Sequence, residues 1–216
     1  MTDLPARPTP PSITAWLATG ALDAELAALL WLLVEAGLRV TVAGPPGSDS
    51  GALLAALAAF GPSPVPGPGS RLPAIVEATS FADLRARLAG PPLGASEDEL
   101  RTLGLVLVLE VAPPGDWRIA AAHYVRPPEL DGQGHVQRRP PAILAAWDGR
   151  RGAFDDYSWG ISAELAGRVG REPSEFEAER ARRAGYLADL VAGRVLAPLD
   201  VMRAVSGYQA AQRARH

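Results

Sequence analysis

The chain predicts an α/β fold, and three observations carry that prediction. A helical pattern at residues 23–36 runs into a β-branched strand at 39–43, a Gly/Pro turn and an Ala/Leu helix at 52–60. This is the alternation that lays helices on a sheet. A short strand at 74–78 is again followed by a helix, at 80–89. Two apolar runs, 105–112 and 117–125, flank Pro113-Pro-Gly-Asp116 and predict a β-hairpin with a four-residue loop, so a mostly parallel sheet acquires an antiparallel part.

The remaining elements follow in order. Residues 1–12 are proline-rich and predict a flexible arm, and 13–19 predict a short helix. Asp23 caps the next helix, Glu25 lies in its first turn and Gly37 ends it. Its surface is apolar nearly all round (Leu26, Leu29, Leu30, Trp31, Leu33, Val34), which requires burial. Residues 61–73 alternate proline with glycine and serine and predict a turn-and-polyproline connector. Ser80 and Asp83 pair as caps of one helix, and Ser96 with Glu99 forms a capping box opening another that reaches 103. The 105–112 strand alternates poorly and predicts burial on both faces. Residues 126–141 predict a loop, and 142–147 with 153–159 a second hairpin around Asp148-Gly-Arg-Arg-Gly152. Helices are expected at 162–169, 174–192 and 198–213, the last opened by Pro198. The division expected is an arm at 1–12, a core at 13–125, and a β-hairpin and helical unit at 126–216.

Composition narrows the function classes. With 216 residues and 48% hydrophobic content, the chain can bury a substantial core. A net charge of −3 gives no reason to expect nucleic acid or an anionic membrane as partner. There are no cysteines, which removes disulfides, thiolate catalysis and cysteine-ligated zinc. The N-terminus lacks the basic and apolar regions of a signal peptide, and the apolar run at 26–34 falls short of the ~20 residues a membrane span needs. The expected location is the cytoplasm.

The turn after the first strand has the frame of a phosphate-binding loop without its chemistry. The pattern G-x-x-x-x-G-K-[ST] starts at Gly44, but Asp49, Ser50 and Gly51 stand at its last three positions. All 21 basic residues are arginine, so no lysine can act from elsewhere. The candidate nucleotide-binding residues are Gly44, Pro45, Pro46, Gly47, Ser48, Asp49, Ser50, Gly51 and Ala52, where a helix N-terminus still attracts anions. The missing lysine and metal ligand are each charge-assisted contacts of about 1.5–3 kcal/mol. A carboxylate such as Asp49 beside a phosphate costs roughly 1–4 kcal/mol at about 4 Å. The alternative is an ordinary strand-to-helix turn in which Asp49 or Ser50 caps the helix.

The order of parts resembles the RecA-like P-loop domain of type II/type IV secretion and pilus ATPases, the traffic ATPases. The segments that carry the resemblance are Leu22-Asp-Ala-Glu-Leu-Ala-Ala-Leu-Leu30, the Ala43-Gly-Pro-Pro-Gly-Ser48 turn, and residues 74–88 before a capped helix and hairpin. It covers residues 13–125. The resemblance implies a histidine where Glu77 stands, and an acidic box and Walker B strand between the loop helix and residue 74. Only the 13 connector residues 61–73 intervene there, too few for a strand and its crossover. The family reading is therefore a degenerate, internally shortened relative with no catalytic residue, no metal and no cofactor, acting as a structural or regulatory protein. A protein partner follows from it, an active paralogous ATPase among the options, with a homo-oligomer compatible and no nucleic acid or membrane insertion. The alternative is a weak ATP-binding protein or ATPase using Arg71 or a neighbouring subunit's arginine in place of lysine.

Other groups carry simpler readings. His123 and His135 with Glu129 and Asp131 match no metal-ligand spacing, and Asp131-Gly-Gln-Gly-His135 suits a tight turn. The pairs Arg138-Arg139, Arg150-Arg151 and Arg182-Arg183, and the mixed-sign run 175–183, predict solvated surface. Trp147, Tyr157 and Trp159 are expected to anchor the C-terminal helices, and Asp155-Asp156 has no adjacent base.

Overall fold

The computed structural model describes residues 11–61, 71–113, 115–130, 132–133 and 135–214. Most of the expected arm at 1–12 and of the connector at 61–73 lies outside these residues.

Short helix α1 (Ile13–Ala18) opens the described chain, with the Ser12 hydroxyl accepting from the Ala15 N–H. Helix α2 (Ala24–Glu35) starts where the Asp23 carboxylate accepts the Leu26 N–H at 2.8 Å and stops before Gly37, whose φ of +84° suits a residue without Cβ. All residues from Leu26 to Val34 are buried. Strand β1 (Val40–Gly44), helix α3 (Ser50–Leu57) with a closing 3₁₀ turn (Ala58–Phe60), and strand β2 (Ile75–Glu77) follow. Helix α4 (Phe81–Ala89) has Ser80 as its cap, while the Asp83 carboxylate takes the Thr79 N–H. The expected capping box is present in α5 (Glu97–Leu100), which ends sooner than 103.

Strands β3 (Leu105–Ala112) and β4 (Asp116–Tyr124) form the first hairpin, with Asp116 already paired to Ala112, so the loop is shorter than the expected four residues. The stretch expected as loop carries a small ladder, β5 (Glu129–Leu130) with β6 (Val136–Gln137). Strands β7 (Ala142–Asp148) and β8 (Ala153–Asp156), a 3₁₀ turn (Ser158–Ile161), and helices α6 (Ser162–Arg168), α7 (Pro173–Ala192) and α8 (Pro198–Arg213) complete the chain.

The fold is α/β around a six-stranded mixed sheet of order β2-β1-β3-β4-β7-β8. Strands β2, β1 and β3 are parallel; β3, β4, β7 and β8 alternate in direction. Both faces are covered, which is why β3 alternates poorly. Leu105, Leu107 and Leu109 join the core with α2, α3, α7 and α8, whereas Val106 and Val108 face Leu84, Leu88 and Leu100 of α4 and α5. The boundary drawn at 125/126 thus falls between strands of one sheet. Helices α7 and α8 pack into the same apolar core as α2. Among the described residues no helix is long and apolar enough to cross a membrane.

The outer side of α2 is closed by buried charge, which corrects the surface reading of 175–183 and of Arg183. Glu179 is 1% exposed and Arg183 2% exposed. Arg183 lies with its guanidinium carbon 4.6 Å from the Trp31 ring centre, donates through Nε to Glu179 at 2.8 Å and meets Glu35 at 2.6 Å. Trp31 stacks on Phe60 at 5.2 Å and leans on Tyr208 at 5.2 Å, and the Tyr208 hydroxyl donates to Glu179 at 3.2 Å. One turn away Arg180, also buried, donates to Asp156 at 2.7 Å and to the Ser158 hydroxyl at 2.8 Å. The second hairpin is therefore anchored to α7 through Asp156. Trp159, expected in that role, is 76% exposed, and Tyr157 is exposed as well. A single i, i+3, i+4 stripe of α7 was being asked to face inward, and the charged residues on it do so because each finds an opposite charge there.

Removing one partner of this group strands the others, and Arg183→Ala is expected to cost about 3–5 kcal/mol in urea unfolding at neutral pH. Burial alone would raise the Glu179 carboxyl, but hydrogen bonds from Arg183 and Arg182 outweigh it and hold the group below its ordinary value of 4.5. A depressed carboxylate adds stability above its unfolded pKa, and that stability is lost as pH falls through the folded value. Between about pH 6 and pH 3 the wild-type protein should therefore lose more stability than Glu179→Gln, measured by urea midpoints along a pH series.

Candidate functional site

Strand β1 ends at Gly44, beside Glu77 at the end of β2 in the parallel register. The chain then turns sharply: the Ser48 N–H donates to the Pro45 carbonyl at 3.0 Å, and Gly47, third residue of that turn, has φ of +80°. This is the geometry of a type II turn, in which proline suits the second position and glycine the third. Past the turn the Ser48 and Ser50 hydroxyls bond each other at 2.8 Å. Both fold over Gly44, where a Cβ would lie 2.3 Å from the Ser48 hydroxyl oxygen and 2.8 Å from that of Ser50. The glycine at the head of the loop is thus required by the chain's own serines.

The candidate residues 44–52 are together as one strand–turn–helix unit, and their polar groups are largely spent on one another. Ser50 is buried. Asp49 stands at the N-cap position of α3 but makes no side-chain cap bond, so its carboxylate is left facing outward beside the turn. Neither alternative for capping, Asp49 or Ser50, supplies a cap hydrogen bond to the helix. Arg71, the suggested substitute cation, meets Glu99 at 3.5 Å and donates to the Leu93 carbonyl at 3.0 Å. On β3, beyond its pairing with β1, Glu110 accepts from Arg118 at 2.7 Å.

The other groups resolve into structural roles. His123 stacks on Phe81 at 4.6 Å and burial lowers its pKa, which favours the neutral ring. Among the described residues no set of three or more His, Cys, Asp or Glu side chains is grouped to hold a metal ion. Arg138 pairs with Asp98, Arg139 with Glu164 and Arg151 with Asp155. The Asp131–His135 turn lies partly outside the described residues.

One feature of the neighbourhood escaped sequence reasoning. Asp49 also lines a crevice with Trp16 and Thr19 at the end of α1 and with Asp116 and Trp117 at the start of β4. These residues are far apart in the chain and come together only because β3 and β4 continue past the end of β1. The turn signal at Pro113-Pro-Gly-Asp116 could have placed Asp116 at a hairpin tip, but not next to Asp49.

A comparison with protein-family models finds none that matches this chain, and a comparison with curated proteins likewise finds none.

The clash at Gly44 makes a direct check of the self-filled turn. Gly44→Ala is expected to destabilise the protein by about 1–3 kcal/mol through overpacking. Adding Ser48→Gly, which removes the nearest obstructing atoms, should recover part of that loss. Purely additive destabilisation in urea unfolding would contradict the packing described.

Proposed function

We propose that this chain is a non-catalytic relative of the type II/type IV secretion and pilus ATPases, with a RecA-like P-loop core, that works as a structural or regulatory protein through contact with another protein. The reading rests chiefly on one observation: the loop that would cradle phosphate is filled by its own Ser48 and Ser50 hydroxyls, and the Ser48 N–H is committed to Pro45. A nucleotide would have to break those bonds without a lysine to gain, and beside the Asp49 carboxylate. A phosphate placed there would meet no lysine or metal to balance its charge, and the nearby Asp49 carboxylate would repel it by roughly 1–4 kcal/mol. The acid on β3, Glu110, is neutralised by Arg118 rather than free to orient a metal or water.

A protein-binding role is supported by apolar side chains left on the surface: Trp159, Tyr157, Leu199 and Met202 are all exposed. Isolated apolar residues need no explanation, but an indole three-quarters exposed next to a tyrosine is unusual for a surface with no partner. An active paralogous ATPase remains the partner this family reading suggests. The competing reading, weak ATP binding through an arginine, gains nothing from Arg71, which is engaged with Glu99.

Purified protein with millimolar Mg-ATP should show no turnover above a buffer control and no rise in melting temperature, because a ligand that binds only the folded state would raise it by mass action. Nucleotide-dependent stabilisation that disappears in Gly47→Val or Ser50→Ala would overturn the proposal.

A further inference from the structure

We propose that the crevice beside the 44–52 turn is a recognition site for a basic side chain, arginine above all, presented by a protein partner. The topology makes a crevice here. From β1 the chain reaches β2 through α3 on one side, and β3, on the other side of β1, follows α4 and α5, so the carboxyl end of β1 is a switch point where flanking loops part. In this fold class such a gap is where ligands sit.

Its chemistry is opposite in sign to a phosphate site. Asp49 and Asp116 both line it, both are exposed, and among the described residues no basic side chain pairs with either. Among the described residues no arginine or histidine lines the cavity. Two indoles, Trp16 and Trp117, form part of its wall, and a guanidinium is attracted to an indole face as well as to carboxylates. Trp16 is only 4% exposed, so the indole with surface to offer an incoming cation is the half-buried Trp117.

Size decides between ligand classes. The cavity measures about 180 Å³, below the roughly 300–1,000 Å³ of pockets that enclose whole small molecules. One side-chain head and its stem fit; a nucleotide does not. Planar donors in a fork match two separate carboxylates better than a point charge does, which favours arginine over lysine. The site takes its biological sense from the protein-partner reading above, and the two fail separately. ATP turnover would end that reading, whereas loss of arginine selectivity would end this one.

The full chain is titrated with N-acetyl-arginine methylamide, its citrulline isostere and N-acetyl-glutamate methylamide, followed by NMR chemical shifts and tryptophan fluorescence. The arginine amide should bind in the millimolar range, with citrulline at least about tenfold weaker, no binding of the glutamate amide, and weakening in high salt. Asp49→Asn and Asp116→Asn should each weaken binding several-fold, and together abolish it, in proteins whose circular-dichroism melts match wild type. Thr19→Arg, which carries a guanidinium at the rim, should block the site from within. Equal affinity for arginine and citrulline, no binding at the solubility limit, or affinity unchanged in either the double variant or Thr19→Arg would overturn the proposal.

Discussion

Helix α2 is apolar on every side, and that single constraint organises the protein. A helix with one apolar stripe needs one neighbour; a helix buried from Leu26 to Val34 needs a sheet on one side and a second helical layer on the other. Strands β1 and β3 supply the first, and α7 with α8 supply the second. The C-terminal helices are consequently a cover for the core and not an appendage. Two long-range hydrogen bonds fix the cover in place: the hydroxyls of Ser12 and Thr14 donate to the Leu196 and Val195 carbonyls in the α7–α8 connection. The Gln209 amide donates to the Phe60 carbonyl at the other end of α8.

The covering helix brings charge into this layer, which would be costly without compensation. Arg183 is compensated three ways, by Glu179, by Glu35 and by the face of Trp31. Such a group is weak evidence for net stability, since an apolar replacement of like volume often does as well. Its effect here is directional. An arginine that must lie over Trp31 and reach Glu35 at the end of α2 fixes how α7 lies along α2, where aliphatic contacts alone would tolerate sliding.

Much of the fold was legible because its signals are local. Asp23, Ser80 and Ser96 each cap the helix that follows within three residues, and Gly37 ends α2 with the positive φ that its position demands. The strand–turn–helix at 40–57 was legible for the same reason, and the glycines at 44 and 47 were visible as turn residues. What the turn does with its serines was not, because the Ser48–Ser50 bond depends on side-chain directions. The charged stretch 175–183 misled for a different reason. Mixed signs at helical spacing describe a solvated face equally well, and only the location of Trp31 and Glu35 on a distant helix shows which charges point inward. Trp159 misled in the opposite direction: its size suggested an anchor, but Asp156, two residues before Ser158, makes the anchoring bond through Arg180. The crevice of Trp16, Asp49 and Asp116 could not be read at all, since three separate segments meet there.

The division of labour between core and turn explains how the turn can carry an exposed acid without cost to the fold. The apolar core is centred on the α2 layer, against which Ala52 also packs, so substitutions at residues 45–49 answer chiefly to local geometry. Gly44 is held by the serines above it and Gly47 by its positive φ. Asp49 is held by neither: its side chain caps nothing and pairs with nothing among the described residues. A position so free of structural duty can carry either charge, and here it carries the acid that joins Asp116 across the crevice. The Ser48–Ser50 bond thus helps fix the backbone on either side of Asp49, while the carboxylate itself is left without a partner among the described residues.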